Sequence, residues 1–143
     1  DHAYFGQKDA QQAEVLKRMV KDLFFNVKLR IMPIVREADG LAKSSRNTYL
    51  SKSERAAAVI LNSSLETASM LFKAGERSSQ KLVEGVKKLI GDEPMAQIDY
   101  VEIYALPGLT PAPEVLTKGQ YLLALAVKFG TTRLIDNVIL EVE

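Results

Sequence analysis

Two short polar clusters hold the residue types needed to bind an anion. The first is Gly6-Gln7-Lys8-Asp9-Ala10-Gln11-Gln12. Gly6 allows close approach to the backbone, Lys8 is a compact cation suited to phosphate, and amides at a helix start favour negative charge. Asp9 can accept from a ribose hydroxyl. The second is Lys43-Ser44-Ser45-Arg46, two hydroxyl donors bracketed by a lysine and an arginine capable of bidentate contact. With Gly40 at its stem, this loop could close over nucleotide phosphates. Each cluster also has an ordinary reading. The first serves equally as a capped turn with solvated charges, the second as a surface loop or a phosphorylation site.

The elements that must position them follow from periodicity. Ala3-Tyr4-Phe5 reads as the end of a strand running into Gly6. Ala13, Val15, Leu16, Met19, Val20 and Leu23 then recur at helical spacing, opposite Lys17, Arg18, Lys21 and Asp22. That apolar face should dock on a sheet. Val27, Leu29 and Ile31 alternate with Lys28 and Arg30 as a strand does, and Pro33 removes a ladder donor beyond it. Strand, helix and strand make a βαβ unit with parallel strands and a right-handed connection. Both clusters then fall at the C-terminal ends of parallel strands, where open α/β sheets bind ligands.

Beyond a polar loop with a turn at Ala38-Asp39-Gly40, Ser51-Lys52-Ser53-Glu54 is a capping box. It opens one long helix with Ala57, Leu61, Leu65, Ala68 and Leu71 or Phe72 inward, closed by Gly75 in the left-handed conformation. A second helix, about 79–90, buries Leu82, Val83, Val86 and Ile90 and ends at Gly91. Ile98–Ala105, Tyr121–Phe129 and Leu134–Val142 read as strands, the last two flanking a hairpin turn, while 106–119, rich in proline and glycine, reads as a loop. The expected second unit is a small α+β domain with a three-stranded antiparallel sheet. Residues 1–47 belong to the α/β layer and 48–143 to the second unit.

Composition narrows the function. The chain has 143 residues, 47% apolar and 26% charged, which fits a packed globular fold. Its 19 Lys+Arg against 18 Asp+Glu leave a net charge of +1, which disfavours a nucleic-acid or acidic-membrane partner. Without cysteine there is no disulfide or thiolate metal site, and a single histidine cannot form a two-histidine ligand set. No apolar run approaches the roughly 20 residues of a membrane helix, so a soluble protein is expected. The opening Asp1-His2-Ala3-Tyr4-Phe5 is not a signal peptide and reads as a chain cut from something longer. P-loop, G-x-G-x-x-G, H-E-x-x-H and G-x-S-x-G fingerprints are all absent. His2 reads as a bystander, the basic residues 17–30 as a solvated face, and Tyr100 and Tyr104 as packing.

Three segments carry a resemblance: Tyr4 through Gln12, Ile34 through Leu50, and Arg133-Leu134-Ile135-Asp136-Asn137. On these the chain resembles the C-terminal half of the pantoate–β-alanine ligases, the pantothenate synthetases. The resemblance covers the whole chain, most strongly to Tyr49. It implies a Rossmann-like, nucleotidyltransferase (HUP-type) fragment ending in a loop related to the KMSKS motif of class I aminoacyl-tRNA synthetases, followed by a lid-like C-terminal domain. It implies a ligase that forms a C–N bond between pantoate and β-alanine through a pantoyl adenylate, using ATP with Mg²⁺.

Carried over by position, the resemblance assigns ATP contacts to Gly6, Gln7, Lys8, Asp9, Val35, Lys43, Ser44, Ser45 and Arg46. Lys8 would lie on the phosphates, Asp9 near the ribose, the Val35 main chain at the adenine edge, and Ser44, Ser45 and Arg46 on the departing phosphates. Lys8, Ser44, Ser45 and Arg46 are the catalytic candidates, Gln12 the pantoate ligand, and no residue is assigned to a metal. Gln7 stands where many members carry Glu, and Lys43 where many carry Met. The family's HIGH-type motif needs two histidines upstream, and this chain has one. The expectation is therefore a fragment inactive alone, dependent on an upstream half, cytoplasmic, and part of a homodimer when whole. The competing expectation is a non-catalytic nucleotide-binding or interaction module. An RNA-binding module is disfavoured by charge.

Overall fold

The computed structural model describes residues 1–143. Strand β1 (His2–Gly6) leads through a single 3-10 turn (Gln7–Asp9) into helix α1 (Ala10–Asp22), and β2 (Lys28–Met32) returns beside β1. The two strands pair in parallel, His2 opposite Lys28 through Gly6 opposite Met32. The βα turn and the segment after β2 therefore leave the same end of the sheet. Of the apolar positions on α1, only Ala13 is buried, whereas Val15, Met19 and Leu23 are exposed. The expected docking of that face on a sheet is only partial within this chain, covering Ala13 and in part Leu16 and Val20, since a two-stranded sheet is narrow beside a helix.

The capping box at Ser51 forms as expected: the Glu54 amide donates to Ser51 Oγ, and the Ser51 amide donates to the Glu54 carboxylate. The long helix it was expected to open is two helices, α2 (Lys52–Ala57) and α3 (Ile60–Lys73). Between them the chain tightens, the Leu61 amide donating to the Ala58 carbonyl three residues back. β-Branched Val59 and Ile60 crowd this turn and favour the break. At the far end the Gly75 amide donates to Phe72 and the Glu76 amide to Leu71, a Schellman closure with Gly75 at φ +114°. Helix α4 (Ser79–Gly91) follows and buries Leu82, Val86 and Ile90.

The second sheet contains β3 (Ala96–Leu106), β4 (Thr110–Pro111), β5 (Gly119–Phe129) and β6 (Thr132–Val142), in the order β4-β3-β5-β6. It has four strands where three were expected. After the Leu106-Pro107 turn the chain doubles back far enough for Thr110 and Pro111 to pair with Ala105 and Tyr104. A two-residue edge strand containing proline has no periodicity to read, and at an edge the missing N–H costs no ladder bond. Strands β5 and β6 form a hairpin over Gly130-Thr131, with Gly130 at φ +64°.

Alternation along these strands gives the sheet two apolar faces. Val101, Ile103, Leu123, Leu125, Val127 and Phe129 join Leu61, Leu65, Leu82, Val86 and Ile90 of the helices in one core. Ala124 and Ala126 on the opposite face are also buried. That second face meets the loops of the β1–β2 unit, and the candidate site lies there.

Candidate functional site

The 3-10 turn and the start of α1 fix the first cluster. Lys8 Nζ donates to the Lys43 carbonyl at 3.3 Å, across 35 positions of sequence. The two clusters therefore meet, as parallel strands leaving one sheet edge require. A cavity of about 210 Å³ is lined by Lys8, Asp9, Ser44, Arg46, Arg133, Leu134 and Ile135. A second, of about 150 Å³, shares Lys8, Asp9 and Ile135 with it and adds Gln11, Gln12, Tyr100, Asp136 and Asn137. Lys8 and Asp9 form the wall between the two.

The site residues read from the sequence divide into groups. Lys8, Asp9, Ser44 and Arg46 come together around the first cavity, and Gln12 lies beyond Lys8 in the second. Gly6 is exposed at the strand end, and a Cβ there would meet nothing within 4 Å, so the backbone is open to approach. Val35 is exposed beside them, and its carbonyl accepts from the Lys43 amide at 2.9 Å. Lys43 contributes its carbonyl to Lys8 while its side chain is exposed. Gln7 turns away from the cavities and donates to Asn137 Oδ1 at 3.2 Å. Ser45 is exposed and lines neither cavity, and its carbonyl accepts from the Thr48 hydroxyl. Ser44 acts as an N-cap, its Oγ accepting from the Arg46 amide at 3.2 Å.

The stem of the serine loop is fixed. Leu41 and Ala42 are buried, Leu41 within the core beneath α3. Gly40, at φ +97°, leaves no room for a side chain, since a Cβ would lie 2.3 Å from Asn62 Nδ2. Glycine there serves close packing against Asn62 in a left-handed backbone conformation. Lys43, Ser45 and Arg46 of the loop are exposed, and Ser44 is half-buried.

Arg36 and Asp136 join the segment after β2 to strand β6. The guanidinium donates to both carboxylate oxygens, at 2.7 and 2.9 Å, and also to the Gly40 carbonyl at 3.0 Å. Next along β6, the Asn137 side chain donates to the carbonyls of Gln7 and Lys8 at 2.9 and 3.3 Å. One strand thus fixes both loops. These roles were missed in the sequence, although a signal existed: an Asp-Asn pair within the apolar alternation of Leu134–Leu140 must find partners if buried. Arg133 and Tyr100 were also missed. Tyr100 lines the second cavity where packing alone was expected.

Electrostatics follow from burial. Desolvation lowers the Lys8 pKa below the usual lysine value, Asp9 and Asp136 partly oppose this, and Arg46 adds to it. Burial raises the Tyr100 phenol, so it is a neutral donor at physiological pH. Tyr104 is pushed up to about 12, by burial first and then by its hydrogen bond to Glu102. A cation beside a neutral phenol, a carboxylate and a second cation can bind a phosphorylated ligand and neutralise charge developing on it.

The family model described as Pantoate-beta-alanine ligase matches residues 1–139. A pantothenate synthetase of Pelotomaculum thermopropionicum is 56% identical over 140 residues, 98% of this chain and 49% of that protein. One from Acetivibrio thermocellus shows the same identity and the same coverage. Among solved structures, pantothenate synthetase from Thermus thermophilus superposes with a TM-score of 0.85 at 36% identity, over 96% of this chain and 49% of that one. A Francisella tularensis pantoate-beta-alanine ligase, complexed with beta-gamma ATP and beta-alanine, superposes at 0.62 and 26% identity, over 96% and 43%. The chain spans about half the length of the curated relatives it matches.

Proposed function

Since the chain belongs to the pantoate-beta-alanine ligase family, we propose that it supplies the C-terminal portion of an enzyme condensing pantoate with β-alanine at the expense of ATP. Residues 1–47 complete a Rossmann-like ATP-binding domain and 48–143 form its lid. In the first step the pantoate carboxylate attacks the α-phosphorus of ATP and displaces pyrophosphate. In the second the β-alanine amine attacks the acyl carbon, and AMP leaves as pantothenate forms.

The observation that carries this reading is that Lys8, which donates to the Lys43 carbonyl, lines one cavity together with Ser44 and Arg46. Adenylation builds charge on bridging and non-bridging phosphate oxygens, and fixed donors act most strongly on charge that develops during reaction. Lys8 and Arg46 supply charge, Ser44 a hydroxyl, and Gln12 hydrogen bonds for pantoate. Gly6 leaves the backbone open to the nucleotide, Val35 offers its main chain to the adenine, and Ser45 completes the exposed loop that meets the leaving phosphates.

Mg²⁺ fits this donor set as a companion of the nucleotide. No three His, Asp or Glu side chains stand together as a protein-built metal site, so the ion would be carried on the nucleotide's phosphates, leaving Asp9 of the cavity wall for the ribose. When bound, the metal would offset phosphate charge.

The chain has one histidine, His2, exposed on β1 beside Tyr4, so the two-histidine motif of the family must come from elsewhere. Alone, the chain does not turn over. The whole enzyme is cytoplasmic and dimeric, with no nucleic-acid or membrane partner. No helix here is long and apolar enough to cross a membrane. The test is to assay the chain alone, then mixed with the upstream half of a relative, for pantothenate, AMP and pyrophosphate from pantoate, β-alanine and ATP. Product only in the mixture supports the reading. Nucleotide binding without product in the mixture replaces it with a non-catalytic nucleotide-binding module.

A further inference from the structure

Strand β6 contributes Arg133, Leu134 and Ile135 to the cavity of Lys8, Ser44 and Arg46, and Arg133 is the charged one among them. It lies just past the Gly130-Thr131 turn of the β5–β6 hairpin, opposite Lys128, yet it walls the same space as Lys8, Ser44 and Arg46. An adjoining open cavity of about 640 Å³ is lined by Arg46, Tyr49, Thr131, Thr132 and Arg133. The two arginines therefore line both cavities, the outer of which lies beyond the one that Lys8 lines.

Arg133 makes two local contacts, neither of which uses a terminal N–H as a hydrogen-bond donor. The β3–β5 register shifts between Ile98 and Tyr100, leaving Asp99 as the extra residue of a bulge. Asp99 Oδ2 accepts from Arg133 Nε at 2.9 Å, and the guanidinium carbon lies 5.8 Å from the centre of the Tyr100 ring. Both partners of that ion pair are about half exposed, so it contributes little to stability. Only Nε is engaged by Asp99, so the two terminal nitrogens keep their donors for an incoming anion. Lys8, Arg46 and Arg133 against Asp9 leave the cavity net positive.

Building on the ligase reading above, we propose that Arg133 is a polyphosphate ligand: the hairpin of the second unit grips the terminal phosphates of the nucleotide and retains pyrophosphate, opposite the grip of Lys8, Ser44 and Arg46. A planar fork suits two phosphate oxygens at once, and a fragment ending at the α-phosphate does not extend to it. Arg133 therefore distinguishes ligands by phosphate number.

The test is calorimetric titration of the 143-residue chain with inorganic pyrophosphate, ATP and AMP, for wild type, Arg133→Ala, Arg133→Lys, Asp99→Ala and Lys8→Ala. Arg133→Ala should weaken pyrophosphate and ATP by about tenfold or more while changing AMP less than about twofold, and Arg133→Lys should recover part of the loss. Asp99→Ala breaks the same ion pair but frees the guanidinium, so it should bind pyrophosphate as tightly as wild type or tighter. A structural role for Arg133 predicts instead that Asp99→Ala loses affinity alongside Arg133→Ala, and that result overturns the proposal. Pyrophosphate affinity lost in Lys8→Ala but unchanged in Arg133→Ala overturns it too, leaving the ligase reading intact. If wild type binds neither pyrophosphate nor ATP, this proposal fails, while the ligase reading still stands or falls on product formed in the mixture with the upstream half.

Discussion

Asp136 accepts both terminal N–H donors of Arg36, at 2.7 and 2.9 Å, from 100 positions away in the chain. The carboxylate side chain is 1% exposed and the guanidinium 27%, so the pair joins the segment after β2 to β6 with its carboxylate out of solvent. Its second anchor, the bond from Arg36 to the Gly40 carbonyl, ties the same contact to the stem of the serine loop.

Arg36→Ala should therefore destabilise the chain by about 3 kcal/mol, since it strands a buried carboxylate. Replacing both residues with apolar side chains of similar volume should cost less than the single change. Urea unfolding checks this. Single and double variants of equal stability would show that the pair is not what joins the two segments.

Asn137→Ala removes donors to the Gln7 and Lys8 carbonyls and frees the Gln7 amide. A loss of about 1–3 kcal/mol is expected, together with weaker ATP binding because the turn carrying Lys8 loses its support. Asn137→Asp supplies acceptors where donors are needed and should do at least as badly. Thermal melts and ATP titration of the same variants separate the two effects.

Lys8→Ala in the reassembled enzyme should lower kcat by about 10²–10³ if this cation acts on charge formed in the transition state. Unchanged turnover would remove Lys8 from the chemistry. Lys8→Arg retains a charge but not its compact placement, and should recover only part of the rate.

Lys8 also predicts two opposing pH effects. Burial, reinforced by Arg46 and partly offset by Asp9 and Asp136, lowers its pKa beneath the usual 10.5. The unfolded chain then binds this proton more tightly than the fold does, so the lysine's penalty on stability is relieved as pH rises through the window below 10.5. Anion affinity falls over the same window as the charge is lost. In Lys8→Arg both trends should flatten, as measured by pyrophosphate titration and melting from neutral to alkaline pH.

Two glycines should respond differently to the same change. Gly40→Ala meets Asn62 Nδ2 at 2.3 Å and carries left-handed strain at φ +97°, so a cost of about 2 kcal/mol or more is expected. Gly75→Ala meets nothing within 4 Å, and only the strain at φ +114° remains, between about 1 and 2 kcal/mol. Adding Asn62→Ala should recover part of the first cost and none of the second. Urea midpoints of the four variants check the difference.

Features that depend on near neighbours could be read from the sequence alone. The parallel βαβ unit, the Ser51 capping box, the Gly75 closure and the β5–β6 hairpin need only a few consecutive residues to define them. The placement of both anion clusters at strand ends followed in turn, because a βα unit carries its loops to one edge of the sheet. Family membership was legible too, carried by ordered runs such as Tyr4–Gln12.

Tertiary structure decided the rest. Periodicity shows which face of an element is apolar, but not which partner will cover it. The α1 face thus suggested a wider sheet than the two strands that partly cover it, and the edge strand Thr110–Pro111 was too short to register. Whether Asp136 meets Arg36, or Arg133 shares a wall with Lys8, depends on how one sheet seats against another across a hundred residues or more. No local spacing encodes such a contact, because its energy is realised only after the intervening chain has closed.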